Sequence, residues 1–215
     1  VHISQSVSAE AQGTAPLLPS ALYLAPDGTT PEQYRVGSFA REMAALQPER
    51  VILSAKSWLC NPLIERQAEI LPWNSESVAV KLSPLAASQR LLAELKNAAN
   101  TYLGNKAQSE LAPRYVVTVP ASFDEVARNL TVRAAEQAGL ESLTLLEEPQ
   151  AAFYAWLGAN TNWRNEVQPG DVVLVCDVGG GTTDFSLIGV SQEANEIKLE
   201  RLSVGEHILL GGDNM

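Results

Sequence analysis

The first half of the chain has short apolar runs separated by prolines, with helical spacing in two places. Nine of the 12 prolines lie at or before Pro113, which predicts a loop-rich region with short strands and few helices. The apolar run Ala21–Leu24 predicts a strand. Apolar spacing predicts a helix at the end of segment 31–47 and a longer one over Leu85–Leu103, with Gly104 at its C-terminal cap. The residues expected to face inward are Phe39, Met43 and Leu46 in the first helix and Leu85, Leu92, Leu95, Ala99 and Tyr102 in the second.

The second half alternates strands and helices. β-Branched residues between two prolines predict a strand at Tyr115–Val119, and Leu143–Leu146 predicts a short buried strand. Ser122 and Glu125 have the spacing of a capping box, which makes Ser122 the expected N-cap of the next helix. Pro149 is expected to open a further helix. The helix after Ser122 is expected to end at Gly139. Its residues expected to face inward are Val126, Leu130, Ala134 and Ala138.

A polar segment at 158–170 predicts a surface loop, and three strands are expected to follow it. The unbroken apolar run Val172–Cys176 predicts a central strand covered on both faces. On that interpretation, Leu174→Ala should cost ~2–5 kcal/mol of stability. Phe185–Val190 and Ile197–Val204 predict two more strands, antiparallel because the connections between the strands are short.

The composition is typical of a globular protein. The chain has 215 residues, of which 46% are hydrophobic and 19% charged. No apolar run approaches the ~18 residues of a membrane-spanning helix, and the first residues lack the basic segment of a signal peptide. Cys60 and Cys176 are too few for a disulfide scaffold or a cysteine-type zinc site. We expect both to be buried thiols in a reducing compartment, the cytoplasm.

Negative charge is concentrated in the second half. The first 110 residues carry 9 basic and 10 acidic side chains, whereas the remaining 105 carry 6 basic and 15 acidic ones. We expect no nucleic-acid binding, because it needs a basic surface. An acidic region that binds phosphate needs a metal cation or backbone amides to do so.

The strongest chemical signal is the segment Asp177–Asp184, in which an apolar strand ends in an aspartate. Three glycines and two threonines follow, and a second aspartate begins the next strand. Glycines allow successive amides to point into one concavity that holds phosphate oxygens, and Thr182 can add a hydroxyl. Two carboxylates beside an anion site imply a cation such as Mg²⁺. The alternative is an ordinary tight hairpin, although two-residue turns serve that purpose without three glycines.

Several segments together resemble the seventy-kilodalton heat-shock chaperones of the actin-like ATPase superfamily. They occur in the family's order and cover about residues 20–215. The glycine segment resembles the superfamily's second phosphate loop, and the chain has no Walker A pattern of a P-loop protein. The matching segments are Ala55-Lys56, Thr118–Phe123, Ala134–Leu140, Glu148–Ala152, Asp177–Asp184 and Leu210–Asp213.

The resemblance implies roles for individual residues. The implied catalytic residues are Lys56, Glu148, Asp177, Thr182 and Asp184. Lys56 would orient the γ-phosphate and the attacking water, and Glu148 would position that water. The alternatives are an ordinary surface lysine at Lys56 and, at Glu148, a charge that complements the helix dipole.

Binding residues follow from the same resemblance. Mg²⁺ would be bound, mostly through water, by Asp177, Asp184 and Glu148. The implied nucleotide contacts are Gly179, Gly180, Gly181, Thr182, Thr183, Gly211 and Gly212. Pro120 and Arg128 match the interdomain switch of these chaperones, although Pro120 could equally serve only to end a strand.

The implied fold is an incomplete actin-like, ribonuclease-H-like α/β fold with a mixed sheet and helices. Residues 1–113 would form the upper subdomain of lobe I, 114–170 its core, and 171–215 the first strands of lobe II with the phosphate loop. In the family, an opening strand carries an Asp-Gly-Thr-Thr loop. We expect no counterpart of it here, because Asp27–Thr30, which has these letters, lies at the turn predicted after Ala21–Leu24. Thr183 replaces the usual phenylalanine, a pattern nearer to divergent bacterial members.

The implied function is part of the ATP-binding and hydrolysing domain of a stress-response chaperone. The whole protein would couple Mg-ATP hydrolysis to the binding of exposed peptide segments, with a J-domain co-chaperone and a nucleotide exchange factor as partners. No nucleic-acid or membrane partner is expected. The 215 residues alone should fold but neither bind ATP tightly nor hydrolyse it. Two alternatives stay open: a non-hydrolysing regulatory or filament-forming actin relative, and a sugar kinase of the same superfamily.

Overall fold

A computed structural model describes residues 2–25, 34–104, 113–180, 182–194, 196–206, 208 and 210–212. Helices and sheets are mixed in this part of the chain, as expected for an α/β protein. The strands are β1 (Ile3–Ser6), β2 (Gln12–Ala15), β3 (Ala21–Leu24), β4 (Tyr34–Val36), β5 (Val51–Leu53), β6 (Tyr115–Val119), β7 (Leu143–Glu147), β8 (Val172–Val178), β9 (Thr183–Glu193) and β10 (Glu196–Val204). The α-helices are α1 (Ser38–Leu46), α2 (Ala55–Cys60), α3 (Pro84–Gly104), α4 (Glu125–Gln137) and α5 (Glu148–Ala159).

The chain divides into two compact units. The first contains Val1–Tyr115 and Asn129–Leu143, and the second contains Val116–Arg128 and Thr144–Met215. The boundary falls within α4. The division into parts of lobe I and lobe II stays a prediction. None of the described helices is long and apolar enough to cross a membrane.

The core of the first unit is built on the antiparallel sheet β4-β3-β5. All four residues of β3 are buried, which confirms the predicted strand at Ala21–Leu24. Helix α1 covers one face of this sheet with Ala40 and Met43, whereas Leu46 is exposed in its last turn. The predicted apolar stripe of α3 holds only near its start, because Leu85 is buried and Tyr102 is exposed.

The start of α4 differs from the sequence prediction. Asp124, not Ser122, precedes the helix and accepts a 2.6 Å hydrogen bond from the amide of Ala127, as an N-cap does. Ala127 is completely buried and Val126 is 56% exposed, so the prediction that Val126 faces inward is wrong. The predicted stop at Gly139 is confirmed: its φ is 78°. The amides of Gly139 and Leu140 close a Schellman motif on the carbonyls of Glu136 and Ala135.

The second unit contains the antiparallel sheet β10-β9-β8, in which β9 is the middle strand. One face of this sheet packs against α5 through an apolar cluster that includes Ile188, Val190 and Phe153. The prediction that Val172–Cys176 is the central, doubly covered strand is wrong. Within the described part of the chain, strand β8 pairs with β9 alone. Its residues alternate between partly buried and exposed, which leaves Leu174 59% exposed.

Both cysteines are more accessible than expected. Cys60 is half-buried at the end of α2, and Cys176 is exposed on the same face of β8 as Leu174. Neither forms a disulfide. The expectation of two buried thiols is therefore wrong, and for Cys176 the reason is the uncovered face of β8.

Candidate functional site

The hairpin of β8 and β9 brings the two predicted metal-binding aspartates together. Asp177 and Asp184 are directly opposite in the antiparallel register, so their side chains share one face of the sheet. Asp184 is 2% exposed and Asp177 is half-buried. Like charges in such a position repel each other. A bound cation would remove that repulsion, and carboxylate oxygens are suitable ligands for Mg²⁺.

The glycine loop between these aspartates is closed by its own backbone. The amide of Gly179 donates to the carbonyl of Thr182 at 2.8 Å, and the Gly179 carbonyl accepts from the amide of Gly212 at 3.0 Å. Thr182 is buried. Gly181, one of the predicted nucleotide contacts, lies outside the described residues. Both backbone polar groups of Gly179 are thus used to shape the loop.

The second predicted glycine turn lies directly against this loop. A Cβ added at Gly211 would lie 2.6 Å from the carbonyl oxygen of Gly179, and closer still to that of Gly180. Only glycine permits such close backbone contact. The two segments, separated by about 30 residues in the sequence, therefore form one backbone surface. Asp213, at the end of the predicted turn, lies outside the described residues.

Lys56 and Glu148 belong to different units. Lys56 is exposed in the first turn of α2, in the first unit, and Glu148 is the half-buried first residue of α5, in the second. Among the described residues, no group of three or more His, Cys, Asp or Glu side chains could hold a metal ion by itself. Water-mediated binding of Mg²⁺ by Asp177, Asp184 and Glu148 stays a prediction.

The two predicted switch residues are joined by hydrogen bonds. Pro120 is buried after the end of β6, and its carbonyl accepts from the amide of Phe123 at 3.2 Å. The Phe123 carbonyl in turn accepts from Nε of Arg128 at 3.2 Å. Arg128 then donates to Glu147, which also accepts from Arg201. Sequence reasoning missed Glu147 and Arg201, since no local pattern joins residues that are 54 positions apart.

Comparison with known proteins identifies the family of this site. Residues 17–215 match the family model described as Hsp70 protein. The chain belongs to the Hsp70 family. The resemblance to the seventy-kilodalton heat-shock chaperones is therefore confirmed.

The relatives of this Hsp70-family chain are named chaperones. It is 36% identical to "Chaperone protein HscA homolog" of Pseudoalteromonas atlantica, over 92% of this chain and 30% of the relative. It is 33% identical to the protein of the same name from Azotobacter vinelandii, over 92% of this chain and 31% of the relative. "Chaperone protein dnaK" of Phaeodactylum tricornutum is 30% identical over 86% of this chain and 30% of its own length. The chain thus spans about 30% of the length of these relatives.

Thr183 of this Hsp70-family chain has a structural partner that the sequence did not reveal. Its hydroxyl donates to the carbonyl of Leu210 at 2.8 Å, and its amide donates to the carbonyl of Ile208 at 2.9 Å. The side chain is therefore directed at the second glycine turn. Its contact with nucleotide stays a prediction.

Replacing Thr183 with Val should destabilise the chain by about 0.5–1.5 kcal/mol, because the Leu210 carbonyl loses its donor while the side-chain shape is kept. Urea unfolding of the 215-residue chain measures this effect. Thr183→Ser keeps the hydroxyl and is the matched control. A Val variant with the parental unfolding midpoint would show that the hydrogen bond contributes nothing.

Proposed function

We propose that this chain is part of the nucleotide-binding domain of an Hsp70 chaperone that hydrolyses ATP. The domain would have the actin-like, ribonuclease-H-like fold when complete. The observation that carries the proposal is the register of Asp177 opposite Asp184 at the base of a glycine loop. Membership of the Hsp70 family supports the same reading.

The donor set fits Mg²⁺ and a polyphosphate. Asp177 and Asp184, with Glu148, would hold Mg²⁺ largely through its waters, since hard oxygen ligands suit this ion. When bound, Mg²⁺ would supply positive charge that offsets the charge of the phosphate oxygens. This compensation matters here because the second half of the chain is strongly acidic.

The remaining roles belong to the chain's own groups. Amides of the glycine loop other than that of Gly179, and the hydroxyl of Thr182, would donate hydrogen bonds to phosphate oxygens. Lys56 would orient the γ-phosphate, and Glu148 would position the attacking water. Catalysis of this kind depends on positioning and electrostatics rather than on a covalent intermediate.

The proposal extends to the partners and location of the whole protein. Exposed peptide segments would bind to a domain other than these residues, in the cytoplasm, with a J-domain co-chaperone and a nucleotide exchange factor as partners. Residues 1–215 alone would not bind ATP tightly. A micromolar Kd needs about 8 kcal/mol, more than one glycine loop without an opposing lobe would provide.

An assay of the full-length protein with ATP separates this proposal from its alternatives. We expect Mg²⁺-dependent release of inorganic phosphate without any added phosphoryl acceptor, and faster release when an unfolded peptide is present. Phosphate transfer only to an added sugar would support the sugar-kinase alternative. ATP binding without hydrolysis would support the regulatory or filament-forming alternative.

A further inference from the structure

We propose that Glu147 and Arg201 are positioning residues for the ATPase reaction. Together with Arg128 they form an ion cluster, here called the Glu147 cluster. The cluster would fix the start of α5, and with it Glu148, relative to the sheet that carries Asp177 and Asp184. This inference rests on the proposed function.

The cluster joins three separate parts of the second unit. Arg128, in the first turn of α4, donates from Nη2 to Oε1 of Glu147 at 2.7 Å. Arg201, on β10, donates from Nη1 to the same oxygen. One carboxylate oxygen thus links α4, the end of β7 and the middle of β10.

Strand β10 directs Arg201 towards this position. Alternation along the strand places Arg201 on the same face as Ile197 and Leu199, which pack against the cluster of α5. The register shifts between Arg201 and Ser203, so the alternation is interrupted directly after Arg201. Such irregularities re-aim side chains locally. Arg201 is therefore a charged residue that follows Ile197 and Leu199 on a largely apolar face of β10.

Glu147 is suited to orienting Glu148, because the two are consecutive at the start of α5. Glu147 is the N-cap residue of α5, yet its side chain makes no capping hydrogen bond to the helix. The carboxylate is engaged by the two guanidinium groups instead. When the two guanidinium groups hold the Glu147 carboxylate, they fix the backbone turn from β7 into α5. The direction of the Glu148 side chain depends on this turn.

Burial makes the cluster sensitive to substitution. The Glu147 side chain is only 15% exposed, and its Oε2 is buried with no hydrogen-bond partner among the described residues. A buried carboxylate depends on its partner charges, because without them it stays desolvated and uncompensated. Loss of Arg201 should therefore displace the Glu147 side chain. The displacement should be larger than that of an exposed carboxylate that loses its ion-pair partner.

Steady-state ATP hydrolysis by the full-length protein tests the positioning role. For Arg201→Gln we expect kcat to fall about 10-fold while KM for ATP changes less than about 2-fold, the pattern of an interaction lost mainly in the transition state. Arg201→Lys keeps the charge and should recover part of kcat. The matched control is Lys198→Gln, on the same strand, which removes only the exposed pair with Glu193 and should leave kcat unchanged.

A double-mutant cycle decides whether Arg201 acts through Glu147. If it does, Glu147→Gln combined with Arg201→Gln should be no slower than Glu147→Gln alone, and the same non-additivity should appear in the denaturant midpoints. Fully additive effects in both measurements, or an Arg201→Gln variant with the parental kcat, would overturn the inference. A parent protein without ATPase activity would contradict the proposed function, and the positioning role would fall with it. In that case, non-additive denaturant midpoints would still show that Glu147 and Arg201 interact in the folded protein.

Discussion

Asp177→Asn in the full-length protein should lower the single-turnover rate of ATP hydrolysis by about two orders of magnitude, the scale of a lost electrostatic catalytic group. The substitution keeps the size of the side chain and removes the negative charge. Because Asp177 lies opposite Asp184, the variant also loses one of the two carboxylates that would attract Mg²⁺. Nucleotide binding should be weakened less than turnover.

Asp171→Asn is the matched control for this experiment. Asp171 immediately precedes the other end of the same strand, is exposed, and accepts a 2.7 Å hydrogen bond from the amide of Gln168. Its loss should leave the rate of hydrolysis unchanged. A parental rate in the Asp177 variant would mean that another carboxylate has the role assigned to Asp177.

Ile188→Ala should destabilise this chain by about 2–5 kcal/mol, whereas Leu174→Ala should cost less than about 1 kcal/mol. Ile188 lies on the middle strand of its sheet and is completely buried against α5. Removing its side chain leaves a cavity in the cluster. Leu174 is on the edge strand and 59% exposed, so its truncation removes little buried area.

Denaturant unfolding of the 215-residue chain and of both variants measures the difference. The pair is matched in side-chain size and lies in one sheet, so that the two variants differ mainly in burial. Equal destabilisation by the two substitutions would contradict the assignment of β9 as the core strand. It would favour the doubly covered β8 that the sequence alone predicts.

Local signals were sufficient where the contacts are local. The connection of Asp177 to Asp184 is short enough that a hairpin, and thus the pairing of the two aspartates, follows from the sequence. The stop of α4 at Gly139 could likewise be predicted, because a left-handed residue there needs glycine. The N-cap was harder to predict, since Ser122 and Asp124 are both suitable and lie two residues apart.

Contacts between distant segments could not be predicted. The apolar run of β8 indicates a strand, but it does not indicate how many strands pair with it. The residues of a strand do not by themselves determine its pairing partners. Arg201 and Glu147 are 54 positions apart, and neither belongs to a recognisable motif. The hydrogen bond from Thr183 to Leu210 likewise depends on how two turns meet.

The central claim is that the hairpin carrying Asp177 and Asp184 binds nucleotide together with a cation. Calorimetric titration of the full-length protein with ATP, in Mg²⁺ and again in EDTA, tests it most directly. We predict a one-to-one isotherm that is clearly tighter in Mg²⁺, and an Asp184→Asn variant in which this advantage of Mg²⁺ is largely lost. Equal affinity in Mg²⁺ and EDTA, or no heat of binding in either, would contradict the account.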